Sequence, residues 1–239
     1  MDLTSIPTEH YAFVERLLDV GRRKYHDKHE FHRRMNAGQL GPRAMQLWAY
    51  NRFEYQRAIP RKDALILANM PDPATRRSWI QRILDHDGHG EDPGGIDAWL
   101  RLVEAVGGTR AEAIDGRHVV PGVRFAVDAY VNFCRLNPWT DAVASSLTEL
   151  FAPTLHAVRL DAFPKHYPWI DDAGLAYFRK RIGQANADVR IGLDIVLAHF
   201  GGTNAGRDRA VQCVEFKCDL LWAQLDAIAL ACGVGVGPA

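Results

Sequence analysis

Residues 41–56, Gly-Pro-Arg-Ala-Met-Gln-Leu-Trp-Ala-Tyr-Asn-Arg-Phe-Glu-Tyr-Gln, read as an amphipathic helix caught at its start. Pro42 suits the first turn, where its missing N–H goes unused. Met45, Trp48, Ala49 and Arg52 then recur at helical spacing as far as Gln56. Pro60 is expected to kink or break the run ahead of Ala64-Leu65-Ile66-Leu67, because proline removes a helix hydrogen bond and crowds the preceding turn.

The same period extends outward in both directions. Toward the N-terminus, Phe13, Val14, Leu17 and Leu18 form an apolar stripe. Thr8 is the expected N-cap and Gly21 the expected stop. Toward the C-terminus, Asp72-Pro73 reads as N-cap and first turn of a helix with Trp79, Ile80, Ile83 and Leu84 on its apolar face and Gly88 at its end. Ile96, Trp99, Leu100 and Val103 mark a fourth helix, closed by Gly107-Gly108. A fifth follows Pro121-Gly122 with Val123, Val127 and Tyr130. A sixth is expected over roughly 145–160 with a bend at Pro153, a seventh over about 174–200 and a last over about 207–231. Residues 161–172, rich in Pro and aromatics, read as a packed loop. No sustained alternation of apolar and polar residues implies a strand. No repeat or long linker divides the chain, so one all-α domain over residues 1–239 is expected.

Composition narrows the function. A formal net charge of +0 gives no reason to expect general affinity for nucleic acid or an anionic membrane. No apolar run approaches the roughly 18 residues of a membrane span. The opening MDLTSIPTEHYAF lacks a basic segment followed by an apolar one, so it does not read as a secretory signal. Cys134, Cys213, Cys218 and Cys232 are sparse and form no CxxC, which speaks against structural disulfides and for a reducing cytosol.

Four pairs of polar residues at helical spacing carry the chemistry: Arg52 with Gln56, Arg82 with His86, His156 with Arg159, and Tyr177 with Arg181. Members three or four residues apart share a helix face. Several such faces turned inward would line a cavity with Arg, His and Tyr, suited to an anionic, oxidisable ligand. The segment Asp85-His86-Asp87-Gly88-His89-Gly90-Glu91 offers metal-ligand types, yet fits a helix end and solvated loop equally well. Glu149 and His156 could join His86 in a di-iron centre. Tyr177 and Arg181 stand where such a centre wants a second carboxylate–His pair, however, and Arg cannot ligate a metal. His29 and His32 read as exposed imidazoles at a helix end, and Arg22-Arg23-Lys24 and Arg33-Arg34 as a solvated face. Gly107-Gly108 and Gly201-Gly202 are helix punctuation, and nothing marks a flavin or nicotinamide site.

Several segments taken together are similar to one family. These are Tyr25-His26-Asp27-Lys28-His29-Glu30-Phe31-His32, Asn51-Arg52-Phe53-Glu54-Tyr55-Gln56 and Arg82-Ile83-Leu84-Asp85-His86-Asp87-Gly88. Pro121 to Tyr130, Ser145 to Pro153, His166-Tyr167-Pro168-Trp169-Ile170 and Gln184-Ala185-Asn186 follow in order. Across nearly the whole chain the sequence resembles the pyrroloquinoline-quinone synthase family. The resemblance implies a seven-helix bundle of the haem-oxygenase type, usually a homodimer. It implies an oxidase that closes a ring in a tricarboxylated quinone precursor and oxidises it with O2, releasing H2O2 and the product PQQ without metal or organic cofactor. Matching positions assign catalytic roles to His26, His86, His156, Tyr177 and Arg181. They assign substrate binding to Tyr25, Arg52, Gln56, Lys62, Arg82, Tyr130, Glu149, Arg159 and Lys217. Glu54 departs from the family, where an aromatic is more usual, and the tail after Gly233 is short and Gly-rich, which puts a closing lid in question.

The residue types agree with that chemistry. Arg holds carboxylates bidentately, and Arg52, Arg159 and Lys62 would orient the substrate. His supplies proton transfer near neutral pH. His86, Tyr177 and Arg181 would stabilise reduced oxygen. A metal-dependent oxidase on the same bundle and a non-catalytic quinone carrier are the competing readings.

Overall fold

The structure is a computed structural model describing residues 6–235. The opening segment 1–5 and the end of the Gly-rich tail, both read above, lie outside the described residues, as does the side chain of Asn186. The helices in chain order are α1 Tyr11–Lys24, α2 Glu30–Asn36, α3 Pro42–Asn69, α4 Pro73–Asp87, α5 Gly94–Ala105, α6 Arg110–Asp115, α7 Pro121–Leu136, α8 Trp139–Ser146, α9 Ala152–His166, α10 Ala176–Phe200 and α11 Asn204–Cys232. Short 3-10 turns occupy Thr8–His10, His26–Lys28 and Leu147–Leu150. Among the described residues the fold is all-α, the one extended pairing being an isolated antiparallel bridge between His89 and Asp92.

Local chemistry sets many boundaries where they were read. The Asp72 side chain accepts from the Thr75 N–H at 2.7 Å and caps α4, whose end is Gly88 at φ +92°. Pro42 and Pro121 sit in the first turns of α3 and α7.

α3 is the central element, packed by α4, α5, α7, α8 and α11, while α10 lies against α9, α8 and α5. One apolar core draws on every helix from α1 to α11. At its centre Trp48 and Trp99 meet at 5.4 Å between ring centroids, and the Trp99 indole N–H donates to the Ala49 carbonyl at 2.9 Å.

Several expectations are corrected. There are eleven α-helical segments among the described residues, not the seven the resemblance implies; the three beyond the eight read from periodicity are the short α2, α6 and α8, folded from the path between long helices. Gly21 does not stop α1, which runs on to Lys24, and Thr8 opens a 3-10 turn rather than capping α1. Pro60 does not break α3; helix continues to Asn69, held by a buried face that includes Ile59, Lys62, Asp63 and Ile66 while Arg61, Ala64 and Ala68 face solvent. The expected sixth helix is two, α8 and α9, joined by the turn Leu147–Leu150, and Pro153 lies in the first turn of α9 instead of at a mid-helix bend. Residues 161–166, assigned to a loop, complete α9 with Pro164 inside it. His29 and His32 are not exposed: each is 1% accessible.

Candidate active site

Three of the four spaced polar pairs converge on one narrow cleft. α3 contributes Arg52, Tyr55, Gln56 and Ile59. The turn Leu147–Leu150 and α9 contribute Thr148, Glu149, Leu155, His156 and Arg159, and α10 contributes Tyr177 and Arg181. Tyr25 and Leu221 complete the wall. The i, i+3 and i, i+4 spacings work as expected, since each helix aims both members of its pair the same way. Of the other expected residues, His26, Lys62, Arg82, His86, Tyr130 and Lys217 are buried just behind this lining.

The charges around the cleft fall into two sets. In the first, Arg82 and Arg181 share acids. Asp188 accepts from Arg82 Nη1 and from Arg181 Nη2, each at 3.1 Å. Glu149 accepts from Arg181 Nη2 at 3.0 Å, and Asp63 pairs with Lys62 at 2.6 Å and with Arg82 Nε at 3.3 Å. Burial works against ionising Glu149, and the Arg181 and Arg82 guanidiniums overcome it, holding the carboxyl below its ordinary range. The same guanidiniums do not offset burial at Asp188, whose pKa is raised.

The second set has no acid. Among the described residues Arg52, Arg159 and Lys217 form no salt bridge. Arg52 lies over the Tyr55 ring at 4.0 Å. Arg159 sits 5.2 Å from the Trp48 centroid and 5.4 Å from that of Phe178, with its Nε unpartnered. Lys217 Nζ lies 3.0 Å from the Tyr130 centroid and 4.2 Å from that of Tyr55, with no hydrogen-bond partner. Burial, then the neighbouring Arg52, pull Arg159 down to about 9. Burial, then Lys62 and Arg52, hold Lys217 well below the usual lysine range.

Proton-handling groups surround this set. Burial, with Arg181 next, pushes His86 down to about 3. Its Nδ1–H donates to the Arg82 carbonyl at 2.9 Å, because a carbonyl can only accept, and this leaves Nε2 an orphaned lone pair. His26 and His156 are held well below their ordinary value, by burial first, and His26 Nδ1 and Nε2 and His156 Nδ1 lack partners. The Tyr177 hydroxyl donates to Gln56 Oε1 at 2.8 Å. Buried polar atoms are nearly always paired, so a cluster of orphans around one cleft marks a place built for a polar ligand. Among the described residues no group of three or more His, Cys, Asp or Glu is arranged to hold a metal ion.

Sequence reasoning missed Asp63, Asp188 and His32. Asp188 is seven residues beyond Arg181 and so shares its helix face, a spacing that could have found it. Asp63 directly follows Lys62 and offered no such signal. Glu54, the departure from the expected aromatic, turns to Arg57 on its own helix and stays clear of the cleft wall.

Known proteins share the sequence pattern and the fold. Residues 14–227 match the family described as TENA/THI-4/PQQC. The chain is 56% identical over 220 residues to the pyrroloquinoline-quinone synthase of Ectopseudomonas mendocina, covering 92% of this chain and 88% of that one. It is 53% identical over 219 residues to the enzyme of the same name from Acinetobacter baylyi, covering 92% and 85%. A crystal structure of a TenA homologue from Pseudomonas syringae superposes with a TM-score of 0.75 at 15% identity, covering 96% of each chain. A Shewanella denitrificans domain of unknown function with a heme oxygenase-like fold gives a TM-score of 0.70 at 13% identity, covering 97% of this chain and 93% of that one.

Proposed function

The chain belongs to the TENA/THI-4/PQQC family, and on that premise we propose that it acts as a pyrroloquinoline-quinone synthase, closing a ring and oxidising a tricarboxylated quinone precursor with O2. The carrying observation is a set of basic side chains without acids: Arg52 and Arg159 line the cleft, Lys217 is buried behind it, and among the described residues none of the three has a carboxylate partner. Leaving such charges uncompensated is costly, and a ligand with several carboxylates supplies what is missing. A polycarboxylated quinone precursor meets that need.

The remaining groups divide the work. Arg52 and Arg159 clamp carboxylates and fix the ring system in the cleft. Neutral His156 and His26 carry lone pairs free to take protons during ring closure and C–H oxidation. Each two-electron oxidation passes two electrons and two protons to O2 and yields H2O2. Negative charge develops on the reduced oxygen; Arg181 supplies the fixed positive charge that stabilises it and Tyr177 a hydroxyl donor, while the open Nε2 of neutral His86 accepts from the peroxide as it is protonated. No metal or organic cofactor takes part in this reading, in which the quinol-like substrate is itself the reductant. The protein works as a homodimer.

Single turnover tests the proposal. Precursor mixed with the protein under air should become pyrroloquinoline quinone, with peroxide formed, at a rate indifferent to chelators and with no metal in the purified protein. Release of unchanged precursor would identify a carrier, and activity that follows metal content would identify a metal oxidase.

A further inference from the structure

We infer that His32 is a positioning residue: through one fixed tautomer it aims the Arg159 guanidinium into the cleft and sets the backbone of His26 beside it. The inference deepens the function proposed above and rests on it for the identity of the ligand. His32 lies outside the cleft wall and is only 1% accessible, on the short helix α2.

The geometry leaves the ring little freedom. Its Nδ1 is 2.9 Å from the His26 carbonyl oxygen. That oxygen can only accept, so Nδ1 carries the proton. Neutral His32 then has its lone pair on Nε2, which is 3.0 Å from Arg159 Nη2 and accepts from it. A charged His32 would turn a second N–H against a guanidinium that can only donate. Burial, and then Arg159 itself, hold His32 well below the ordinary imidazole pKa, which keeps the lone pair in place.

The support beneath the ring is equally firm. The His29 side chain caps α2 by accepting from the Phe31 N–H at 3.0 Å. The Tyr167 hydroxyl, just beyond α9, donates to the Met35 carbonyl at 2.8 Å and ties α2 to the helix that carries Arg159. Among the described residues His32 is the only protein acceptor that Arg159 meets, and no carboxylate takes that place. A carboxylate there would neutralise the charge the ligand needs. A neutral imidazole fixes the direction of the guanidinium and leaves its charge unspent. The His26 ring stands 4.9 Å from His32, centroid to centroid, with both nitrogens unpartnered, so the same contact locates a proton acceptor.

The test combines a double-mutant cycle with a spectroscopic signature. Pyrroloquinoline quinone is titrated by absorbance into the full chain, into His32→Leu, His32→Gln and Arg159→Ala, and into the double variant His32→Leu/Arg159→Ala. Folding of each is checked by circular dichroism and thermal melting. His32→Leu should weaken binding roughly ten- to hundredfold, as misplacement of a binding group by about 1 Å does. His32→Gln, whose side-chain oxygen can accept from Arg159, should recover most of that loss. The double variant should bind no worse than Arg159→Ala alone, because His32 acts through Arg159. In turnover, His32→Leu should raise KM more than it lowers kcat. Additive losses in the double variant, no rescue by Gln, or parental affinity in His32→Leu would overturn the assignment. The ligand-free protein gives an independent reading: 15N spectra of labelled histidine should place the His32 proton on Nδ1, and a proton on Nε2 would sink the proposal. If the parent chain takes up no quinone, the functional reading fails, and the 15N spectrum alone decides the role of His32.

Discussion

Arg159 and Arg52 are the residues on which recognition turns. Each is a guanidinium against aromatic rings with no acid beside it. Replacing either by Ala should weaken binding of the product quinone by about 2–5 kcal/mol, read from an absorbance titration; unchanged affinity in both would place these side chains outside recognition. Tyr177→Phe makes a different prediction. It removes only the hydroxyl that donates to Gln56 at 2.8 Å. Substrate should still bind and begin conversion, then accumulate as a quinol-like species when air is admitted, with the oxygen step slowed on the order of a hundredfold. Arg181→Ser should stall at the same point, although it also strips Glu149 and Asp188 of a partner. Parental turnover in both variants would remove them from the oxygen step. Residues paired within one helix were legible in sequence because spacing alone announces a shared face. His32 and Asp63 were not, since their importance comes from partners on other helices, Arg159 and Arg82, whereas Asp188 shares a face of α10 with Arg181 and only its second partner, Arg82, lies on another helix.

At the scale of elements, long helices with caps and apolar stripes were legible, and short ones were not. α2, α6 and α8 have 7, 6 and 8 residues, too few for a periodic stripe to rise above chance. Glycine and proline misled where packing overrode propensity. Gly21 is kept in α1 by close approach: a Cβ there would meet the Phe151 ring at 2.2 Å. Gly→Ala in a helix ordinarily stabilises by about 1 kcal/mol, so the sign of its effect is informative. Gly21→Ala should instead lower stability by about 1–3 kcal/mol through overpacking, seen as a lower Tm. Phe151 also touches Tyr25 of the cleft wall at 5.1 Å between centroids, so the same variant should bind quinone more weakly. A higher Tm would mean that the ring moves aside freely. Pro60 has a local consequence too. It offers no N–H to the carbonyl of Gln56, the residue four back, so the helix ladder lacks a rung beside the cleft.

For the whole molecule, four buried imidazoles set the response to acid. His26, His32, His86 and His156 all have pKa values below the ordinary 6.5, with burial the largest cause. The unfolded chain therefore binds protons that the folded chain refuses. The stability these imidazoles contribute is complete above about pH 6.5 and is lost as the pH falls toward the folded value, about 3 for His86. Lys217 and Arg159, also lowered, act with the same sign at higher pH. The Tm should fall steeply between about pH 6.5 and 5, where one such group costs on the order of 2 kcal/mol; a flat profile would mean that water reaches these rings. Light scattering at micromolar concentration should return twice the chain mass, and a single-chain mass would exclude the dimer.

The buried positive set has a consequence for salt. The chain as a whole carries a formal charge of +0, so a polyanion approaching from a distance feels no net attraction. Mobile ions cannot enter the interior where Arg159 and Lys217 lie, and they do not screen what they cannot reach. Raising sodium chloride from about 50 to 500 mM, several-fold across the range in which exposed charges are screened, should therefore change neither the entry rate nor the residence time of the quinone by much. Stopped-flow mixing would measure both. Recognition anchored on charge should behave, to the salt in the buffer, as though it were not ionic at all.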